Sequence, residues 1–468
     1  MTLPPPAPRS FDTLPLSPAA RENLRRLGYL EMTAIQAASL PAALQGRDLI
    51  AQAKTGSGKT AAFALALLAR LDARRFAVQA LVLCPTRELA DQVTTEIRRL
   101  ARAEDNVKVV TLAGGVPLRG QTSSLAHGAH VVVGTPGRVI DHLERGHLNL
   151  DGLATLVLDE ADRMLDMGFV DDIAKVVRQC PTQRQTLLFS ATYPEGIARL
   201  AAQFLREPVT VKVDARHSRE QIEERWYEVR EDQRLPAVAA LLDHFRPASA
   251  LAFCNTKARC RELVALLQAQ GYSALALHGD LEQRDRDQVL VRFVNGSCSV
   301  LVATDVAARG LDIADLAAVI NVDISPDPQA HVHRIGRTGR AGQTGLALSL
   351  ATLDEIGAVG RIEQLHGRPA VWHALTELTP NPGGRLLPAM ATVHIQAGRK
   401  DKIRPGDVLG ALTADLGYTR AQVGKIDINE FATYVAVARD IAHEVVTRLN
   451  GGRIKGRAVK ARLLVEEA

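Results

Sequence analysis

The stretch "LVLDEADRML", residues 156–165, decides how the chain is read. Leu156, Val157 and Leu158 form an apolar run short enough for a buried strand, and Asp159, Glu160 and Asp162 follow at once. Like charges this close repel, and a packed core would reject them. In isolation the stretch could be a solvated strand end that opens a helix, where acids suit the N-terminal dipole. The surrounding chain has to choose.

Working outward, residues 47–192 alternate short apolar strands with helical stretches: "DLIAQA", "ALVLCPT", "VKVVTLAGG", "HVVVGTPGR", "LATLVLDEAD", "TLLFSAT". That rhythm predicts a parallel sheet covered on both faces, an α/β fold. Residues 249–351 repeat it with "SALAFCNT", "SALALHGD", "SVLVATDV", "AAVINVDI" and "GLALSLA". The polar stretch "REPVTVKVDARHSRE" around 206–220 reads as a linker, and Pro and Gly mark a second boundary in "TPNPGGRLLP", residues 379–388. The last segment differs. A strand "ATVHIQAG", a helix "RPGDVLGALTADLG" and two strands in "VGKIDINEFATYVAVA" come first. A helix "DIAHEVVTRLNGG" and a strand "GRAVKARLLV" complete a βαββαβ order, that of a small α+β sandwich. Three domains are expected, at 1–208, 219–370 and 388–468, which suits 468 residues, too many for one core.

No apolar run approaches a membrane span, since the longest, Ala61 to Ala69, stops at Arg70. The start, "MTLPPPAPRSF", lacks the basic and apolar regions of a secretory signal, so a cytoplasmic location is expected. The five cysteines are scattered without a CxxC pair, and Cys84 and Cys254 lie in strand-like runs, which argues for buried thiols rather than disulfides or zinc. The net charge is +5, and residues 388–468 carry 13 Lys and Arg against 9 Asp and Glu, so nearly all the excess is there. A basic terminal domain points to nucleic acid or another polyanion.

Residues 53–60, "AKTGSGKT", lie between the strand "DLIAQA" and an apolar helix. Backbone N–H groups of Thr55, Gly56, Ser57 and Gly58 can converge there on phosphate oxygens at a helix N-terminus. Lys59 would reach the β- and γ-phosphates, and Thr60 would ligate Mg²⁺. Ala53 replaces the glycine usual at the first position. A carboxylate at the end of a neighbouring strand is what a Mg²⁺–triphosphate needs opposite such a loop. Asp159 would hold the metal, and Glu160 would orient and deprotonate the attacking water. The acids then belong to an ATPase site using ATP and Mg²⁺.

Asp159-Glu160-Ala161-Asp162 spells the motif of the DEAD-box RNA helicases, and the chain resembles that family along its core. The resemblance implies two tandem RecA-like domains, RNA as partner, and roles for further residues. "GYLEMTAIQ" (28–36) is similar to the adenine-sensing Q motif, with Gln36 and, upstream, Phe11 as the stacking aromatic. "PTREL" (Pro85, Thr86, Arg87), Gly114-Gly115 and "TPGR" (Thr135, Arg138) resemble the elements that grip the RNA backbone. "SAT", with Ser190 and Thr192, resembles the segment coupling hydrolysis to strand separation. In the second domain Phe253, Thr256, Gln283 and Arg286 fit family motifs. Thr304 would touch RNA phosphate and Asp312 the nucleotide ribose, while "HRIGRTGR" supplies Arg337 and Arg340 as fingers for the γ-phosphate. Such arginines stabilise transition-state charge when the two domains close, so hydrolysis should be RNA-stimulated.

The βαββαβ order of the tail suggests an RNA-recognition-motif fold, which stacks bases on aromatics of its third strand in the pattern K/R-G-F/Y-G/A-F-V-x-F/Y. Aligned through Tyr434-Val435, Glu430 reverses the charge, while Ala432 and Val437 stand at two of the aromatic places. The first strand offers only His394. Base reading on the sheet face is therefore not expected. Basic residues collect instead in "GRKDKIRPGD" (Arg399, Lys400, Lys402, Arg404) and "GGRIKGR" (Arg453, Lys455, Arg457), loops suited to gripping phosphates. These stretches, with "VLGALTADLG", resemble the tail of the bacterial DbpA group of helicases. That resemblance implies a tether to a hairpin of 23S rRNA in the pre-50S particle and a role in large-subunit assembly. A general helicase of cold adaptation or RNA decay and an RNA clamp without turnover are the alternatives. With no heptads or apolar interface stripe, a monomer is expected.

Overall fold

The computed structural model describes residues 9–53, 56–104, 106–193, 195–213, 222–308, 316–339, 344–381 and 387–464. The chain divides into two units, the second of which includes the C-terminal domain.

Among the described residues the first unit holds seven parallel strands: β1 (Leu49–Gln52), β2 (Ala80–Leu83), β3 (Val109–Leu112), β4 (Val131–Gly134), β5 (Thr155–Leu158), β6 (Gln185–Ser190) and β7 (Val209–Lys212), in the order β3-β4-β2-β5-β6-β1-β7. Strands such as "ALVL", "VVVG" and "TLVL" are wholly buried, because a parallel sheet is covered on both faces and tolerates no alternation. The covering helix Lys59–Ala69 is apolar nearly all round, and its Phe63 meets Phe189 of β6 edge to face at 5.3 Å. Register matters more than packing here. Leu83 pairs with both Gly134 and Leu158, and Gln52 with Ser190, so the residues just after these strands stand in a row along one edge.

One strand departs from expectation. β7 lies within the stretch read as a linker, and pairs with β1. It is an edge strand whose side chains alternate between half-buried and exposed, so its polar composition masks it.

The second unit contains a like sheet, with β8 (Ile222–Glu228), β9 (Ala250–Cys254), β10 (Ala274–Leu277), β11 (Val300–Thr304), β12 (Ala318–Asn321), β13 (Gly345–Ala351) and β14 (Trp372–His373). All pairs are parallel and the order is β10-β11-β9-β12-β13-β8-β14. β14 falls just past residue 370, and Leu375 and Leu378 beyond it pack on this core.

The C-terminal domain is an antiparallel sheet of β15 (Met390–Ile395), β16 (Val423–Ile428), β17 (Thr433–Ala438) and β20 (Ala461–Leu463), in the order β16-β17-β15-β20. A small hairpin of β18 (Arg453–Ile454) and β19 (Arg457–Ala458) precedes β20. Val393, Ile395 and Val435 bury one face against the helix Ala442–Gly451 and the turn from Val408 to Leu412. That turn is a helix, Pro405–Gly410, running into a π-helical segment, Ala411–Asp415.

The opposite face carries Thr392 and His394, and it is not open. Thr392 is 1% exposed; its hydroxyl meets Ser297 Oγ at 2.7 Å and accepts from Asn295 Nδ2 at 3.3 Å, both residues of the second helicase sheet domain. Replacing Thr392 with Val keeps the shape and leaves these buried groups short of a partner, a loss of about 1–3 kcal/mol. The Tm of the second unit should fall by a few degrees, while Thr392→Ser should stay near wild type. An unchanged Tm for Thr392→Val would show that this hydroxyl does not hold the face closed.

Candidate functional site

Along the aligned strand ends of the first unit, charged and polar groups replace the apolar strand residues. The phosphate loop leaves β1 and re-enters the helix Lys59–Ala69, with Gly56 at φ +77° and Gly58 at φ +92°. A Cβ on Gly58 would lie 2.6 Å from Gln36 Nε2, so only glycine fits. Gln36 is buried; its Nε2 donates to Gly58 O at 3.0 Å and its Oε1 accepts from Thr33 N at 2.9 Å in a capping box. The predicted adenine-sensing residue is thus bonded directly to the phosphate loop. Phe11 is buried at right angles to Tyr29, whose hydroxyl donates to Glu96. Lys59 is buried with its Nζ 2.8 Å from Ala53 O, and Thr60 is half-buried at the second helical position. Thr55 lies outside the described residues.

The three acids after β5 are each held differently. Asp162 accepts from Ala191 N (3.1 Å), Thr192 N (2.8 Å) and Thr192 Oγ1 (2.9 Å), while its own N donates to Ser190 Oγ at 3.3 Å. It is the physical tie between the "DEAD" and "SAT" stretches, a role that no local pattern signals beyond membership of the acidic cluster. Glu160, at φ +50°, forms a buried ion pair with Arg163 at 2.9 Å. Asp159 is 2% exposed and accepts from Glu160 N at 3.0 Å. Burial pushes its carboxyl up to about 7, opposed by Lys59 and reinforced by Glu160 and Asp162. Among the described residues no cation stands within ion-pair distance of it. An acid so placed, beside Thr60's loop, fits a divalent cation, which would restore the charged form.

The predicted RNA-gripping residues lie at the ends of β2, β3 and β4, farther along the same edge. Pro85 is buried, Thr86 caps the helix Arg87–Leu100 by accepting from Leu89 N at 3.3 Å, and Arg87 lies 3.7 Å from Asp91. Gly115 turns at φ +75° and Thr135 caps the helix Pro136–Glu144. Arg138 donates to Val116 O at 3.0 Å and Gln121 Oε1 at 3.1 Å, pinning the glycine turn.

In the second unit Thr304 ends β11, buried, and Arg337 is buried just after the helix Pro328–Ile335. Asp312 and Arg340 lie outside the described residues. The residue that organises this edge was not singled out from sequence. Arg334 is 1% exposed, forks onto Asp305 with two contacts of 2.7 Å, donates to Asp323 O at 2.6 Å and Asn255 Oδ1 at 3.0 Å, and lies over the Phe253 ring. Three arginines in "HRIGRTGR" look alike in sequence; the partners Asp305, Asp323 and Asn255 mark Arg334 as the structural one.

In the C-terminal domain Arg399, Lys400, Lys402, Arg404 and Lys455 are all exposed, and the structure gathers them. Lys455 Nζ donates to Lys402 O at 2.9 Å and stands 3.2 Å from Asp407, while Arg457 pairs with Asp401 at 2.7 Å. His394 lies opposite Tyr434 with ring centroids 5.1 Å apart, and burial, with Arg462 and Arg284 nearby, holds it below the ordinary imidazole range.

Asp159 gives a pH signature. Its folded-state pKa lies above the unfolded value of about 3.9, so the folded form binds its proton more tightly and loses stability as pH rises towards 7. Without nucleotide or divalent cation, Asp159→Asn should raise the Tm of the first unit, by an amount that widens between pH 5 and pH 8 to a few kcal/mol. A difference independent of pH would mean that Asp159 is charged throughout.

The chain matches the DEAD/DEAH box helicase model over residues 33–200, the helicase conserved C-terminal domain over 233–342 and the DbpA RNA binding domain over 392–463. It is 52% identical to the ATP-dependent RNA helicase DbpA of Escherichia coli over 97% of this chain and 99% of that one. It is 47% identical to the DEAD-box ATP-dependent RNA helicase CshA of Geobacillus kaustophilus over 76% of each. Among solved structures, Saccharomyces cerevisiae Dbp5 bound to RNA and ADP BeF3 superimposes with a TM-score of 0.73 at 30% identity, covering 79% of this chain and 96% of that one. The chain therefore belongs to the DEAD-box ATP-dependent RNA helicases, with a DbpA-type RNA-binding domain at its C-terminus.

Proposed function

We propose that the enzyme is an RNA-stimulated ATPase that opens short duplexes in 23S rRNA of the pre-50S particle, held to its substrate by the C-terminal domain. The supporting observation is the collection of exposed cations on the tied loops 398–404 and 453–457, on a domain whose sheet face is closed. Phosphate contacts of that kind suit a folded RNA shape more than a base sequence. A cytoplasmic, monomeric enzyme is part of this reading.

In this reading catalysis is assigned as follows. Lys59 and the loop from Thr55 to Gly58 bind the triphosphate of ATP. Thr60 and Asp159 would hold Mg²⁺, which supplies charge neutralisation on the phosphates. Glu160, aimed by Arg163, accepts the proton of the attacking water. Arg337 and Arg340 of the second unit stabilise charge on the transferring phosphoryl group. Asp162 transmits the change at the γ-phosphate to Ser190 and Thr192. Pro85, Thr86, Arg87, Gly115, Thr135, Arg138 and Thr304 grip the RNA strand.

Glu160→Gln should keep ATP binding and lower turnover by at least about a hundredfold, the scale of general-base catalysis. Normal turnover in a single-turnover assay would move the base elsewhere.

Targeting is tested by ATPase stimulation with a 23S rRNA fragment carrying the hairpin, against an unrelated structured RNA of equal length. The rRNA should act at far lower concentration. Replacing Arg399, Lys402, Arg404 and Lys455 with Ala should remove that advantage with little change in maximal rate, and should flatten the salt dependence by roughly 0.9 per lost phosphate contact. Equal stimulation by both RNAs would leave a general helicase with a basic handle.

A further inference from the structure

We propose that Phe431 is a stacking platform for one unpaired nucleobase of the RNA held by the basic loops. This deepens the targeting reading above and rests on it.

The chain's ten phenylalanines are mostly interior, and Phe431 is 62% exposed. It is also out of place for an RNA-recognition motif. It precedes β17, which starts at Thr433, and stands one residue before the aromatic position that Ala432 fills. The two other aromatics of the domain, Tyr418 and Tyr434, are buried. The ring is therefore in a turn rather than on the sheet.

That turn is rigidly backed. A Cβ on Gly398 would lie 2.5 Å from Asn429 O, and 2.7 Å from Ala432 N and Glu430 O, so the loop after β15 lies backbone to backbone on the turn. Arg399 N donates to Asn429 O at 2.9 Å, Lys400 N to Glu430 O at 3.0 Å, and Asn429 N to Ala432 O at 2.8 Å. Lys400 then reaches over the ring, its Nζ 4.2 Å from the centroid and 3.0 Å from the Glu430 carboxylate. One ring face thus carries a cation, while the residue as a whole stays 62% exposed.

The setting selects the class of partner. Arg399, Lys402 and Arg404 lie on the loop whose backbone meets this turn, with Lys402 turned at φ +60°, and Lys455 is tied to that loop from the hairpin. An exposed aromatic ringed by cations suits a base whose own phosphates are gripped on either side, as in single-strand binders where each base has a π-face to stack. A protein partner of this site would have to be acidic and apolar at once. The sheet face that would otherwise stack bases is occupied by Ser297 and Asn295. Phe431 is the open aromatic of the domain.

The experiment uses the full-length chain and the 23S rRNA hairpin fragment, with binding measured at fixed salt. Phe431→Ala should weaken binding about tenfold, the scale of one lost base stack, with maximal ATPase rate and salt slope unchanged. Phe431→Trp should restore binding and Phe431→Leu should not. Because the ring is exposed, Tm should be unaltered in all three. An abasic nucleotide, moved through the unpaired positions of the RNA, should weaken wild-type binding by the same factor at one position and leave Phe431→Ala binding unaffected there. If Phe431→Ala binds as wild type while loss of Arg399, Lys402 and Arg404 weakens binding, the loops grip phosphates and the stacking proposal falls alone. If Phe431→Leu binds as wild type, the contact is apolar and not a stack, which also overturns it. If wild type does not prefer the rRNA fragment, the targeting reading fails, and the abasic scan on the unrelated RNA still decides the stack.

Discussion

Three carboxylates buried at the end of one strand are tolerable only if each finds a different means of support. Asp162 is saturated by donors from residues 191 and 192, Glu160 is paired with Arg163, and Asp159 keeps only a backbone donor and the field of Lys59. The sorting sets the division of labour. In the proposed mechanism the saturated acid transmits position, the paired acid is aimed at water, and the under-supported acid is left to a cation. Glu160 also adopts a left-handed backbone, a conformation unfavourable by about 1–2 kcal/mol, which β5 and the helix Ala161–Asp166 impose from either side. Everything else on that sheet edge is arranged around this cluster, including the phosphate loop two strands away.

The second unit solves the mirror problem with a buried cation. Arg334 gathers Asp305, Asp323 O, Asn255 and the Phe253 ring, joining the ends of β9, β11 and β12. Taking away one side of such a buried pair leaves an uncompensated charge, so its value is less net stability than a fixed geometry. Arg337, three residues later, inherits its position from that anchor. Rigid side chains thus stand behind the reactive ones in both sheets.

Much of this was legible in the sequence, for a physical reason. Short parallel strands buried on both faces are uniformly apolar, so the polar residues that follow them stand out, as at Thr86, Thr135, Asp159 and Ser190. What was hidden depended on tertiary context. β7 is polar because it lies at an edge, and so read as a linker. Arg334 and Asp162 are indistinguishable by type, and nearly by burial, from their neighbours, and their bonded partners single them out. The closed sheet face of the C-terminal domain follows from Thr392 meeting Ser297, residues 95 apart, which no local pattern signals. Thr55, Asp312 and Arg340 fall outside the described residues, so their roles rest on motif position.

That closed face has a consequence for selectivity. With Thr392 bonded to Ser297 and Asn295, the cationic loops beyond β15 and Thr304 at the end of β11 fall in the same compact unit. On the proposed function, an RNA landmark held on those loops would be carried along with Thr304, as by a calliper. A core that contacted only phosphate and sugar would be blind to base order, yet would open whichever duplex that span brought within reach. Geography, rather than sequence, would then choose the target.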